Sequence, residues 1–193
     1  MGRKAEPGKR KAILAVAREL FKKQGYTRTS MNQISIQAGI AHGTIYLYFG
    51  SKLAVADALV ENYNKGISDI LQKQLSGSLG PGQIRNCVHD ILAYASMNSD
   101  ILRLLHIRSN FDLGATTPPP DVRAQKILGN AIAEGIRRGR IKQYDPYAAA
   151  ELISGLVEWI ARVCFVSNRF DVSQIEDTAV HMLENALIEG MGE

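Results

Sequence analysis

The chain has 193 residues, of which 46% are hydrophobic and 22% charged, which is typical of a globular protein with a sizeable core. It contains no charge-free apolar run of about 18 residues and no N-terminal apolar segment like that of a signal peptide, so we expect no membrane association and a cytoplasmic location. Two cysteines, Cys87 and Cys164, are too few for a disulfide framework, and we expect buried thiols.

The net charge of +4 is unevenly distributed along the chain. Residues 1–52 contain ten Lys and Arg against two Glu, a balance of +8, whereas the other 141 residues contain thirteen Lys and Arg against seventeen Asp and Glu, a balance of −4. A basic segment on an acidic remainder is typical of a module that binds a polyanion, although a solvated basic surface without a partner gives the same pattern.

Helical spacing predicts an all-α chain of about nine helices, since no period-two run is bounded by hairpin turns. A first helix is predicted over residues 8–24, ended by Gly25. Ser30 and Gln33 form a capping box that starts a short second helix, and a third is predicted from His42 to about Phe49. Lys4, Lys9, Arg10 and Lys11 are expected to form a flexible basic arm.

Beyond this region, Ser51 is predicted to cap a long helix, and residues 76–82 form the clearest linker. The proline-rich stretch from Leu113 to Pro120 predicts a loop. Asp145 and Pro146 predict a helix start, and Ser173 with Glu176 predicts another, through a second capping box. The helices predicted after the linker cover about residues 84–95, 99–109, 121–138, 146–166 and 173–188.

The two final helices are apolar over more of their circumference than one packing surface requires. We therefore expect them to pair with their copies in a homodimer, as a four-helix interface around a two-fold axis; the alternative is that both complete an internal core. The predicted interface residues are Leu152, Leu156, Trp159, Ile175, Met182, Leu183 and Ala186.

Two short helices joined by a glycine-containing turn and packed on a longer helix describe a helix-turn-helix, whose second helix enters the DNA major groove. In the segment from His42 to Phe49, Ile45 and Phe49 are spaced to face the core. Gly43 allows close approach to a phosphate. The side chains left to face outward are His42, Thr44, Tyr46 and Tyr48.

These residues belong to a longer pattern with fixed spacing. Its most specific members are Gly25, Tyr26, Thr29, Ser30, Ile34, Ala38, Gly39, Gly43, Thr44, Ile45, Tyr46, Tyr48, Phe49 and Lys52. In this pattern the chain resembles the tetracycline-repressor (TetR) family over about residues 8–60, although Ala41 stands where many relatives have a serine. The missing N-cap hydroxyl is worth about 1 kcal/mol at such positions.

The resemblance implies roles for individual residues. Ser30, Gln33 and Lys52 are expected to meet phosphates, and Thr44 and Tyr46 to bond phosphates or base edges. The variable outward residues, His42 and Tyr48, are our candidates for direct base readout. Residues 7–67 then form the DNA-binding domain, with the motif at about 30–49, and residues 68–193 form the ligand-binding and dimerisation domain.

No catalytic motif is present, and we expect no enzyme activity, no cofactor and no bound metal. The predicted function is a transcriptional regulator, a repressor released from a palindromic operator by a small, largely apolar effector. Two alternatives stay open: a body that binds a partner protein instead of a metabolite, and a small helical enzyme. The residues expected to line an effector pocket are Tyr63, Tyr94, Met97, Phe111, Trp159 and Phe165.

Overall fold

The computed structural model describes residues 7–75, 79–110 and 122–188. Within these residues the fold is all-α, as predicted, and it comprises nine helices. Their bounds are α1 Pro7–Gln24, α2 Met31–Gln37, α3 His42–Ile45, α4 Lys52–Gln74, α5 Pro81–Met97, α6 Ser99–Asn110, α7 Val122–Arg137, α8 Pro146–Phe165 and α9 Val172–Leu187. None of the helices described here combines the length and apolar character that crossing a bilayer requires.

The chain divides into two compact units. Among the described residues, 7–63 and 103–110 form the first, the head, and 64–75, 79–102 and 122–188 form the second, the body. The predicted division at residue 67 lies inside α4, which runs from one unit into the other. The predicted loop at 113–120 and residues 76–78 of the predicted linker lie outside the described residues.

The head is built around the apolar side of α1. Helix α2 packs against both α1 and α3. Gly25 follows α1 and Gly39 follows α2, with φ values of +84° and +65°. Both helices therefore end in the left-handed conformation that glycine adopts without strain. The buried side chains of this core include Ile13, Leu14, Ala17, Leu20, Ile34, Ile45, Phe49, Val55 and Leu59.

The basic residues at the start of the head do not form the predicted arm. Lys9, Arg10 and Lys11 belong to α1, and the Arg10 guanidinium lies 5.1 Å from the centroid of the Phe49 ring. All three are therefore part of the first helix of the head, and the ring contact additionally positions Arg10. Lys4 lies outside the described residues.

The body packs α8 against α7, α5 and α9, and α5 also packs against α9. The predicted cap of α8 is confirmed, because the Asp145 carboxylate accepts the N–H groups of Tyr147 and Ala148 at 3.1 and 2.7 Å. Side chains buried between these helices include Val88, Leu92, Leu128, Ile132, Val157, Ile160, Cys164, Val180, Leu183 and Leu187.

The start of α9 differs from the predicted capping box. The helix begins at Val172 and its N-cap is Asp171, whose carboxylate accepts the Ser173 N–H at 2.9 Å. This oxygen also accepts the Ser173 hydroxyl. Glu176 does not complete a box, because its carboxylate lies 3.0 Å from His89 Nδ1 on α5.

Candidate DNA-binding interface

The predicted capping box at the start of α2 is confirmed in both directions. The Ser30 hydroxyl oxygen accepts the Gln33 N–H at 3.2 Å, and the Gln33 Oε1 atom accepts the Ser30 N–H at 2.8 Å. Both residues are exposed. The box fixes the first turn of α2 at the surface of the head, where these two residues are predicted to meet phosphate.

A tight turn connects α2 to α3. The Gly39 N–H donates to the Ile36 carbonyl at 3.1 Å, and the Ile40 N–H donates to the Ser35 carbonyl at 2.9 Å. At the start of α3, Ala41 makes no side-chain capping bond, as its methyl group predicts. Backbone bonds from Thr44 and Ile45 to the Ala41 carbonyl begin the helix instead, at 2.8 and 3.3 Å.

Helix α3 is shorter than predicted. It ends at Ile45, and the segment from Tyr46 to Tyr48 is a turn rather than a helix reaching Phe49. The bonds from Leu47 to Thr44 and from Tyr48 to Ile45 join residues three apart. This tightening is common at helix ends, and it satisfies the last carbonyls within a four-residue helix.

The outer face of this segment combines polar and apolar side chains. Ile45 and Phe49 are buried, as predicted, and His42, Gly43 and Tyr46 are exposed. The rings of His42 and Tyr46 meet edge to face, with centroids 5.3 Å apart.

Thr44 and Tyr48 are half-buried. Leu47, which the sequence analysis did not single out, is 63% exposed. The sequence signal that could have identified it is an apolar residue at a position that the core pattern of Ile45 and Phe49 does not require.

Lys52, which is predicted to contact a phosphate, is bonded within the head. Its ammonium donates to the backbone carbonyls of Tyr26, Thr27 and Thr29 at 2.8, 3.3 and 2.7 Å. It also lies 4.3 Å from the centroid of the Tyr26 ring. A lysine ammonium has three N–H donors, which is the number of carbonyls that it contacts here, and partial burial lowers the Lys52 pKa from its usual value.

The predicted dimer residues fall into two groups in the single chain. Leu152, Trp159 and Met182 are 75%, 41% and 61% exposed, although each is a large apolar side chain. Ala186 is also exposed, and Leu156 and Ile175 are half-buried. Leu183, in contrast, is buried within the protomer.

The residues predicted to line a pocket differ in their burial. Tyr63 is buried in the head, whereas Tyr94 and Phe165 are half-buried in the body. Met97 is 73% exposed, and the Trp159 ring lies at the surface with its centroid 6.4 Å from that of Phe170. Both positions differ from the interior ones expected. Phe111 lies outside the described residues.

The described part of the body has a surface cleft between α7 and α8, with a volume of about 410 Å³. Its lining side chains bond to one another, from Gln125 to Glu151 and from the Tyr147 hydroxyl to Asn130 at 2.9 Å. None of the six residues predicted to line an effector pocket lines this cleft. Among the described residues, no three His, Cys, Asp or Glu side chains gather as a metal ion would need.

The three-helix head, its internal turn and the outward polar side chains of α3 define a DNA-binding protein of the helix-turn-helix class. The family model for bacterial regulatory proteins of the tetR family matches residues 13–59. Residues 13–59 therefore resemble the DNA-binding region of this family, and the chain, like its curated relatives, is a transcriptional regulator rather than an enzyme.

Similarity to known regulators extends over almost the whole chain. The chain is 24% identical over 184 residues to the fatty acid metabolism regulator protein of Bacillus subtilis, covering 91% of this chain and 93% of the relative. It is 25% identical over 189 residues to the transcriptional repressor KstR of Mycobacterium tuberculosis, covering 95% and 84%.

The fold also matches solved structures. SmeT, the repressor of a multidrug efflux pump of Stenotrophomonas maltophilia, superposes with a TM-score of 0.76 at 19% identity, covering 97% of this chain and 93% of SmeT. SmeT in complex with triclosan gives a TM-score of 0.73. The resemblance in fold therefore includes both the head and the body.

Proposed function

We propose that this protein is a homodimeric transcriptional repressor that binds a palindromic operator and is released from it by a small, largely apolar ligand. The observation that carries the proposal is the surface of the helix-turn-helix, where His42, Tyr46 and Leu47 are exposed beside a folded capping box at Ser30. Polar and apolar side chains at one surface suit the donors, acceptors and thymine methyl groups of the major groove.

The dimer is supported by the exposed apolar residues of α8 and α9. Leu152 and Trp159 lie seven residues apart on α8, and Met182 lies on α9, which packs against it. Large apolar side chains grouped on one surface of a monomer indicate a protein contact. A two-fold dimer that binds two half-sites places its recognition segments about 34–36 Å apart, one turn of the duplex, and its operator is then palindromic.

The ligand class is supported by the named relatives. One regulates fatty acid metabolism and another forms a complex with triclosan; both names point to small, largely apolar compounds. Of the predicted pocket residues, Tyr94 packs its ring on the part of α4 that belongs to the body. A Cβ added to Gly66 would lie only 2.2 Å from the Tyr94 hydroxyl oxygen. We propose Tyr94 as a residue that senses the ligand. A regulator of this kind acts on chromosomal DNA in the cytoplasm.

The same relatives do not favour a body that binds a partner protein, since neither name refers to one.

The operator is tested by selecting bound duplexes from a random pool with the full-length protein. We expect an inverted repeat whose half-sites lie about one helical turn apart. Recovery of a single unrepeated site, or of no sequence preference above nonspecific DNA, would refute the proposal.

Release by ligand is tested with the recovered operator, using a panel of fatty acids and triclosan as probes. A releasing compound should lower operator affinity about 5- to 150-fold, and the operator should lower affinity for that compound by the same factor. Binding of a probe without this reciprocal effect would show a compound that does not act as the effector.

A further inference from the structure

We propose that Lys52 is a positioning residue for DNA binding, which holds the turn between α1 and α2 in place and does not contact the phosphate backbone. The inference deepens the proposed function of the head and rests on it. The turn in question runs from Gly25 to Ser30, the N-cap of α2.

The three carbonyl contacts converge on one ammonium group. Tyr26 and Thr29 accept at 2.8 and 2.7 Å, and Thr27 accepts at 3.3 Å. The Tyr26 ring, buried in the head, covers the same group with its face, 4.3 Å from Nζ to the ring centroid. All three N–H donors are thereby used, and the remaining approach is covered by an aromatic surface.

A positive charge at the location of Lys52 is unfavourable unless neighbouring groups compensate for it. Lys52 is the first residue of α4, and a helix N-terminus carries partial positive charge, which repels a cation. The half-buried side chain also gives up part of its hydration. Three carbonyl oxygens supply the negative partial charge that a lysine at this position needs.

The contacts reach the residue that precedes the predicted phosphate-binding box. Thr29 directly precedes Ser30. Its carbonyl accepts a hydrogen bond from Lys52, and its hydroxyl donates to the Gly25 carbonyl at 2.9 Å. Lys52 therefore fixes the backbone leading into the capping box from 23 residues away in sequence. Loss of this hold would leave the first turn of α2 free to move before DNA is present.

Two substitutions separate positioning from phosphate contact. Lys52→Met removes the charge and all three donors, whereas Lys52→Arg keeps the charge but replaces the compact ammonium with a planar guanidinium. Lys23→Met, at an exposed position in the last turn of α1, is the matched control for the loss of one positive charge from the head. Each full-length variant is measured by amide hydrogen exchange without DNA and by operator affinity at several salt concentrations.

If Lys52 positions the turn, amides of residues 26–34 should exchange about tenfold faster in both Lys52 variants and remain unchanged in Lys23→Met. Operator affinity should fall in both Lys52 variants, while the slope of log affinity against log salt stays that of the parent protein.

If Lys52 contacts a phosphate, Lys52→Met should reduce that slope by about 0.9, Lys52→Arg should retain affinity, and exchange without DNA should be unchanged; this result would overturn the inference. Should Lys52→Met not fold, Lys52→Arg distinguishes the two roles alone. The exchange measurement needs no DNA, so absence of an operator would refute the proposed function without deciding the role of Lys52.

Discussion

Single residues in the head acquire their roles from neighbours that are distant in sequence. The sequence offers several basic and aromatic candidates for DNA contact, and residue type does not separate those that reach outward from those that hold the fold. Lys52 is engaged with carbonyls of the α1–α2 turn, whereas Leu47 is exposed without contributing to the core. Side-chain environment therefore changes the list of DNA-contacting candidates that sequence analysis gives.

Leu47 is predicted to contribute to base preference through apolar contact with thymine methyl groups. Leu47→Ala should lower affinity for the selected operator about fivefold, equivalent to about 1 kcal/mol, and leave the melting temperature nearly unchanged because an exposed side chain is truncated. Binding and thermal unfolding measure the two effects. Met97→Ala, the same kind of truncation on an exposed position of the body, should change neither. Unaltered affinity in Leu47→Ala would exclude the contact.

Cys87 is predicted to be unreactive in the folded protein. Burial, and secondarily the nearby Asp90 carboxylate, raise its pKa to about 12. At pH 8 only about one thiol in ten thousand is then ionised, compared with about one in four for an unperturbed thiol, and the thiolate is the nucleophile. Alkylation followed by mass spectrometry should label Cys87 only after denaturation.

The same pKa shift predicts how stability depends on pH. The folded protein retains the Cys87 proton over a range in which the unfolded chain loses it, so this contribution to stability falls as pH rises from about 9 towards 12. Both predictions for Cys87 depend on its burial, so rapid labelling of the native protein at pH 8 would contradict them.

At the scale of helices, local signals located most elements and longer contacts adjusted their ends. The capping box at Ser30 and the cap at Asp145 lie where the sequence predicts them. The last helix begins at Val172 because the Asp171 carboxylate accepts the Ser173 N–H and caps it. Glu176 cannot serve in a capping box, because it is paired with His89, 87 residues away. A local sequence pattern around Ser173 cannot reveal His89 as the partner of Glu176.

Gly135 is predicted to be required for packing in the body. A Cβ at this position would lie 2.5 Å from Cδ1 and 2.7 Å from Cγ1 of Ile141, whose side chain is itself buried. Gly135→Ala should therefore reduce the free energy of unfolding by about 1–3 kcal/mol, despite the better helix propensity of alanine. Urea denaturation measures this.

Gly82→Ala in α5 is the matched control, because a Cβ there meets nothing within 4 Å; this variant should be neutral or slightly stabilising. A Gly135→Ala protein as stable as the control would mean that Ile141 can move aside.

At the scale of the whole molecule, the proposed dimer depends on the exposed faces of α8 and α9. Leu152→Glu should convert the dimer to monomer at micromolar concentration, because it places a charge on the exposed apolar face that is proposed as the interface. Analytical ultracentrifugation measures the oligomeric state, and operator binding should weaken in parallel. Met97→Glu, which puts the same charge on an exposed apolar residue of α5, should remain dimeric. If Leu152→Glu also remained dimeric, another surface would form the contact.

The helical class, the positions of most helices, and the helix-turn-helix with its capping box can be predicted from the sequence alone. These depend on helical spacing and on hydrogen bonds between residues a few positions apart. Three features are visible only in the folded chain: Lys52 bonds to carbonyls 23 to 26 residues away, Leu183 is buried whereas Leu152 is exposed, and Leu47 is exposed. These outcomes depend on which helices pack together, and a broad apolar band gives the same pattern whether its own chain or another protein covers it.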